Sequence, residues 1–323
     1  MASVAIAEMG GLPERFRTAG VRNKCLIQSL LSNVLKNERM QRSVATNQFQ
    51  FGTIRLLQQR YAEALEVYTE VKAIVEALGE WSTVASAWHQ IGILHRETKQ
   101  FELADQAYRQ ALAIRVQHHL KNDEAASLNA LGNLHNQVGH LEAAVVFYRQ
   151  AVDKYVELQD KKNDGISRSN LAHTLIKLHR YDEARRELQR AIECDKPFGH
   201  AAKPWTAWDI LYDLEQATNH PQAAAEARQQ AIECFMAYRR AGGENHSDVG
   251  RLCAFVAQAM RDGKIEEVQE ALTERAEIPE WQLLVSKLQA ILNGDRNPKL
   301  ADDAELPYDA VVELRLLLES LQR

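Results

Sequence analysis

The feature that most restricts the fold of this chain is self-similarity at an interval of 40 residues. Phe51-Gly52, Ile91-Gly92, Leu131-Gly132, Leu171-Ala172 and Leu211 share one phase. Ten residues later stand Tyr61, Phe101, Leu141 and Tyr181, followed by small residues at Ala64, Ala104, Ala144, Ala184 and Ala224. Bulky Tyr68, Tyr108, Tyr148 and Leu188 come next, and Ala111, Ala151, Ala191 and Ala231 close the pattern. A small residue at a fixed helical position lets two antiparallel helices approach closely, and the large residues fill the groove above it. A sixth, weaker repeat is expected with Phe255 as its apolar anchor, Gly263 at its turn, and Ile265 and Leu272 behind it.

The apolar period of 3.6 breaks at Gln59-Arg60, Lys99-Gln100, Gly139-His140, His179-Arg180 and Asn219-His220, predicting the turn inside each repeat. Polar stretches at Leu78-Gly79-Glu80, Lys121-Asn122-Asp123 and Asp160 to Asp164 predict the connectors between repeats. A lone pair of such helices cannot bury its apolar face, so stacked neighbours must supply the core. The expected fold is therefore all-α, a right-handed α-solenoid of stacked helix-turn-helix repeats. Residues 1–45, with a helix-compatible stretch from Lys24 to Arg39, read as an N-terminal cap or degenerate repeat, 46–277 as the array, and 278–323 as a C-terminal cap. In that cap, helices are expected over Trp281 to Leu292 and Tyr308 to Leu321, separated by the turn-rich Asn293 to Pro298.

Composition agrees with this and narrows the function. Only 7 prolines and 15 glycines in 323 residues offer little turn chemistry for a β-fold. A net charge of −5 argues against a general phosphate-backbone binder, so no nucleic-acid partner is expected. No run of about 18 apolar residues predicts a membrane span. Cys25, Cys194, Cys234 and Cys253 stand far apart with no C-x-x-C spacing, which suits a reducing, cytoplasmic setting. Cys194 and Cys234 close equivalent Ala-Ile-Glu-Cys segments and read as fillers of the same core niche. Trp88 and Trp208 read the same way.

The Trp88, Ile91-Gly92, Ala104, Tyr108, Ala111 series resembles the tetratricopeptide repeat, over roughly Gln48 to Glu277. That family's usual period is about 34 residues. A unit of 40 with a longer second helix or connector is similar to the kinesin-light-chain-like branch. The stretch from Ile291 to Pro298 resembles the tail of repeat arrays attached to bacterial signalling NTPases. The resemblance implies a scaffold that grips a protein or peptide segment, with asparagines on the first helices holding backbone amides.

Motifs for chemistry are missing: there is no P-loop pattern, G-x-S-x-G, H-E-x-x-H or dinucleotide fingerprint, so neither an enzyme nor a bound cofactor or metal is expected. His118 and His119 are neighbours, about 100° apart on a helix, and poorly placed to chelate one ion. The first helix of each repeat lines the concave surface of a stacked array. There the sequence offers His89 and Arg96; Asn129, Asn133 and Asn136; Asn170, His173 and Lys177; and Asp209 and Asp213. Asparagine is a mediocre helix former, and three at i, i+4 and i+7 on one helix ask for a reason. Its amide is both donor and acceptor, matching the alternating N–H and C=O of an extended peptide. Only Arg96, Asn133, Asn170 and Lys177 could contribute to a clamp for a terminal carboxylate, which is less than such a clamp requires. A receptor whose curvature responds to a small peptide or ligand is the alternative expectation.

Overall fold

The computed structural model describes residues 37–322, and what the sequence predicts for residues 1–36 lies outside them. Helix α1 covers 37–57. It is followed by α2 (Tyr61–Ala77), α3 (Trp81–Glu97), α4 (Phe101–Gln117), α5 (Lys121–Gln137), α6 (Leu141–Glu157), α7 (Lys161–Lys177) and α8 (Tyr181–Asp195). After a 3₁₀ segment, Lys196–Ala202, come α9 (Trp205–Ala217), α10 (Pro221–Arg240), α11 (Asp248–Asp262), α12 (Ile265–Ala276), α13 (Gln282–Leu292) and α14 (Tyr308–Leu321). The architecture is an all-α solenoid of helix-turn-helix repeats, with no strand among the described residues.

Two helices of 17 residues and two three-residue turns fill the period in its regular part, so the excess over a shorter repeat is shared between both helices. The helices α1 to α7, and α9, stop the same way. Gln59, Gly79, Lys99, His119, Gly139, Gln159 and His179, spaced by 20, and Asn219, a further 40 on, all have positive φ between 55° and 83°. At the end of α2, Gly79 N–H donates to Glu76 O at 3.1 Å and Glu80 N–H to Val75 O at 2.9 Å. At the end of α3, Lys99 N–H and Gln100 N–H repeat this with Arg96 O and His95 O. This paired 5→2 and 6→1 closure is the Schellman arrangement, which satisfies carbonyls left over at a helix end.

The turns predicted inside the repeats sit where expected, but two of the connectors do not. Lys121, Asn122 and Asp123 open α5, and 161–164 open α7, where Asp160 Oδ1 accepts the N–H of Asn163 at 3.1 Å. The polarity read as a connector belongs to the first turn of a helix, where acidic side chains meet unpaired N–H groups. The real connectors are 118–120 and 158–160.

The chain divides within α5 into two compact units, one up to Leu134 and one from His135. In the first, Ala64, Tyr68, Ile91, Leu94 and Ala107 form a core against Phe49 and Trp88, and Ala45, Val71, Val75 and Val84 form a second. Gly92 lies directly under the ring of Tyr108: a Cβ there would come within 2.6 Å of it. Gly52 lies under Tyr68 in the same way, at 3.0 Å. In the second unit the equivalent pair is Ala172 and Leu188, a methyl gained on one helix where the ring is lost on the other.

The end of the second unit departs from the repeat. Phe255 is 44% exposed while its neighbours Leu252, Val256 and Ala259 are buried, so the expected anchor faces out. The reason is that α11 packs on α14 as well as on α12, and this turns its apolar stripe. Helix α14 also packs on α10, where Arg239 pairs with the buried Glu313 at 2.7 Å and Arg228 Nη2 donates to Asp303 O and Leu306 O. Trp88 and Trp208 are half-buried against their cores, and Trp205 is buried more deeply, stacking tilted on Tyr238 at 4.9 Å.

Two predictions follow from the turns and the ring-over-glycine packing. A side chain held at left-handed φ costs about 1 kcal/mol that glycine does not, so Lys99→Gly and Gln159→Gly each raise the urea midpoint. Gly92→Ala forces the fully buried Tyr108 aside and lowers that midpoint by about 1–3 kcal/mol of stability. Adding Tyr108→Leu, which copies Ala172 and Leu188, restores part of it.

Candidate functional site

In the first unit the first-helix candidates are His89 and Arg96 on α3 and Asn129 and Asn133 on α5, all half-buried. The His89 ring lies 5.3 Å from that of Tyr108. Burial, then the positive Arg115 and Arg96, lowers the His89 pKa to about 4, so it is a neutral imidazole at pH 7. Its Nδ1, the Tyr108 hydroxyl and the Asn129 Oδ1 are buried atoms without a hydrogen-bond partner among the described residues. Arg96 is paired with Glu97 at 2.7 Å and is therefore not an isolated cation. Arg115, buried behind this face, donates to Asp123 O at 2.9 Å and to the Ser127 hydroxyl, bracing α4 to α5.

In the second unit, Asn136, Asn170, His173, Lys177, Asp209 and Asp213 form an electrostatic series. Lys177 Nζ donates to Asn136 Oδ1 at 3.2 Å, joining α5 to α7. His173 has its pKa lowered by partial burial and by Lys177, with Asp213 opposing. Asp213 has its pKa raised by partial burial, with His173 opposing. Asp209 is raised to about 6, by burial first and then by Asp213 and Asp309. The polarity thus reverses from Lys177 to Asp209, as the sequence order of these residues suggests.

Two residues at this site were not foreseen. Asp309, at the start of α14, acts on Asp209 from about a hundred positions further along the chain, and burial together with both carboxylates raises the pKa of the adjacent Tyr308. Asp309 also accepts a hydrogen bond from the Ser247 hydroxyl at 2.9 Å. Nothing in the repeat phase marks them, because α14 lies outside the periodic part.

The residues set aside as structural are so placed. His118 stacks on Trp81 at 5.0 Å, and His119 is the left-handed residue of its turn. The Cys194 thiol donates to Asp164 Oδ2 at 3.3 Å, and burial first, then Asp164, pushes its pKa up to about 11. Cys234 packs half-buried against the larger core.

Models of the tetratricopeptide repeat match residues 43–117, 84–155 and 166–194. The chain carries tetratricopeptide repeats over these residues. No curated protein matches its sequence. Among solved structures, BtubC (BKLC) from P. vanneervenii is similar with a TM-score of 0.55 and 17% identity, over 58% of this chain and 78% of its own. The nearly identical TPR-like repeats of a putative kinesin light chain from Podosopora anserina align with a TM-score of 0.52 and 18% identity, over 60% and 96%. A Rap protein complexed with Competence and Sporulation Factor gives 0.51 and 16% identity, over 85% and 74%. At these identities the likeness is one of fold, and it includes the kinesin-light-chain type of repeat. No helix among the described residues is long and apolar enough to cross a membrane.

The raised Asp209 pKa sets a pH dependence. Between about pH 4 and 6 the folded chain holds a proton that an unfolded Asp, with its ordinary pKa of 3.8, has released. Stability therefore falls as pH rises through this window. Asp209→Asn raises the melting temperature at pH 7 and flattens the melting profile between pH 4 and 6, with little change at pH 3.5.

Proposed function

We propose that the chain is a protein-interaction scaffold that holds a peptide or protein segment along its first helices, in a bacterial signalling or defence assembly. The observation that carries this reading is the polar face of α3 and α5, where His89 and Arg96 and then Asn129 and Asn133 are half-buried on successive first helices. Asparagine amides are both donors and acceptors, which matches an extended segment with alternating N–H and C=O groups. The fold supports the reading, since a Rap protein of similar architecture forms a complex with Competence and Sporulation Factor. The tail from Ile291 to Pro298, with its resemblance to arrays of signalling NTPases, supports the setting. Asn133, Asn136, Asn170, His173 and Lys177 supply amide and cationic contacts in this proposal, Arg96 adds a second cationic group, and Asp209 and Asp213 favour basic side chains.

The test is affinity capture from native lysate with the chain as bait, in competition with a variant carrying Asn129→Ala, Asn133→Ala and Asn136→Ala. Each lost hydrogen bond is worth about 1 kcal/mol, so the variant binds the captured partner at least tenfold more weakly while remaining cooperatively folded, with a small drop in melting temperature from the lost Lys177 to Asn136 contact. Equal binding by the variant moves the interaction to another face.

A further inference from the structure

One position in each second helix is buried in every repeat: Val75, Arg115, Tyr155, Asp195 and Phe235 are between 1% and 5% exposed. Three of these are apolar or aromatic and need no special partner. Arg115 Nη1 donates to the Asp123 carbonyl and the Ser127 hydroxyl of the following helix. One repeat and two repeats on, the residues equivalent to Ser127 are Ser167 and Ala207, and those equivalent to Asp123 are Asn163 and Lys203. For Asp195 the facing pair is Lys203 and Ala207, and neither supplies a bond. Asp195 makes no hydrogen bond or ion pair with any described residue and does not cap the segment it precedes.

The carboxylate faces a cavity instead. The chain after Asp195 runs as the 3₁₀ segment, with Gly199 at non-helical φ and Lys203 at φ 52°. Helix α9 consequently starts at Trp205, whereas the regular first helices start at 81, 121 and 161. The missing first turn leaves a space of about 390 Å³ bordered by α7, the end of α8 and the start of α9. That is within the size range of small-ligand pockets. Asp195 lies in its wall, Ile166 and Ala202 give it apolar surface, and Ser169, Asn170 and Thr206 give it hydrogen-bonding groups. Gly165 adapts α7 to the carboxylate, because a Cβ there would meet Asp195 Oδ1 at 2.9 Å.

Burial raises the Asp195 pKa to about 6, so the group is still mostly ionised at pH 7. The neighbouring charges on α7 and α8 are already engaged: Arg168 pairs with Asp164 at 2.8 Å and with Glu187. Lys162 and Lys203 border the cavity, but both are exposed, and their charges are screened by water and salt. A carboxylate whose own residue is 5% exposed and that has no partner attracts a cation brought into contact with it more strongly than a fully solvated carboxylate does.

We propose that this cavity is a subsite for a lysine or arginine side chain of the bound segment, with Asp195 as its counter-charge. The proposal rests on the peptide-binding reading above and assigns one side-chain chemistry within it. The probes are two capped tripeptides, N-acetyl-Ala-Lys-Ala amide and its norleucine analogue, titrated into the full chain and followed by NMR shifts. The lysine probe is expected to bind at least tenfold more tightly than the norleucine probe. Asp195→Asn, which keeps the shape, should bring the two to the same affinity. Ala207→Ser, which builds the hydroxyl that serves Arg115, should weaken the lysine probe while raising the melting temperature. The Asn129, Asn133 and Asn136 alanine variant should bind the lysine probe unchanged, which separates this subsite from the asparagine face. Equal affinity of the two probes for the wild type, or lysine binding unaffected by Asp195→Asn, would overturn the proposal without touching the result of the capture experiment.

Discussion

The left-handed residue that closes the helices of the regular repeats is the constraint on which the remaining geometry depends. Because a Schellman closure ends the helix at a fixed point and sends the chain back within three residues, its recurrence every 20 positions from Gln59 to His179 keeps α2 to α7 at the same length and in the same rotational phase. Phase decides which side chains meet. Glycine or alanine on a first helix lies under the aromatic or leucine side chain of the second helix only while both helices start and stop in step. Most of these turns use Gln, Lys, His or Asn rather than glycine. The sequence therefore accepts backbone strain at several sites and offsets it with close packing such as that of Gly92 and Tyr108.

A strictly repeated frame gives exceptions a physical meaning. Where each repeat buries a residue at the same point, an ionised side chain in that series must be matched by a compensating change next to it. For Arg115 the match is internal and braces two helices. For Asp195 the surrounding changes go the other way: the hydroxyl position is alanine, the facing helix loses its first turn, and α7 carries glycine to make room. Three coordinated departures that all open space around one charge are hard to account for as packing alone, since filling that space with an apolar side chain is the arrangement found at Tyr155 and Phe235.

Much of this was legible in the sequence because a repeat prints the same physical requirement many times. The alanine series and the Tyr68, Tyr108 and Tyr148 series are all essentially inaccessible, and α14 spans Tyr308 to Leu321 as the apolar period predicts. Errors came where one signal serves two purposes. The polar run at Lys121 to Asp123 satisfies the requirements of a helix N-terminus as well as those of a loop, and single-position hydrophobicity at Phe255 did not reveal which way α11 would turn. The candidate site was legible only as a helix face. That Lys177 reaches Asn136, or that α14 brings Asp309 and Tyr308 to Asp209, depends on packing between segments with no shared period.

The second compact unit therefore ends differently from a plain array with a polar cap. In such an array the last helix need only cover exposed apolar surface. Here α14 does that for α10 and α11, and its first turn also adds a carboxylate to the pair formed by Asp209 and Asp213. Two like charges beside a partly buried Asp209 weaken its ionised form, and the unfolded chain is free of that penalty. Asparagine at 209 would have nearly the same shape and no such cost. In the proposed reading a cationic segment lying along α9 would offset the accumulated charge, just as one lysine or arginine would offset Asp195. Under that proposal the acidic end of the face and the Asp195 cavity favour the same kind of ligand from two independent packing arrangements.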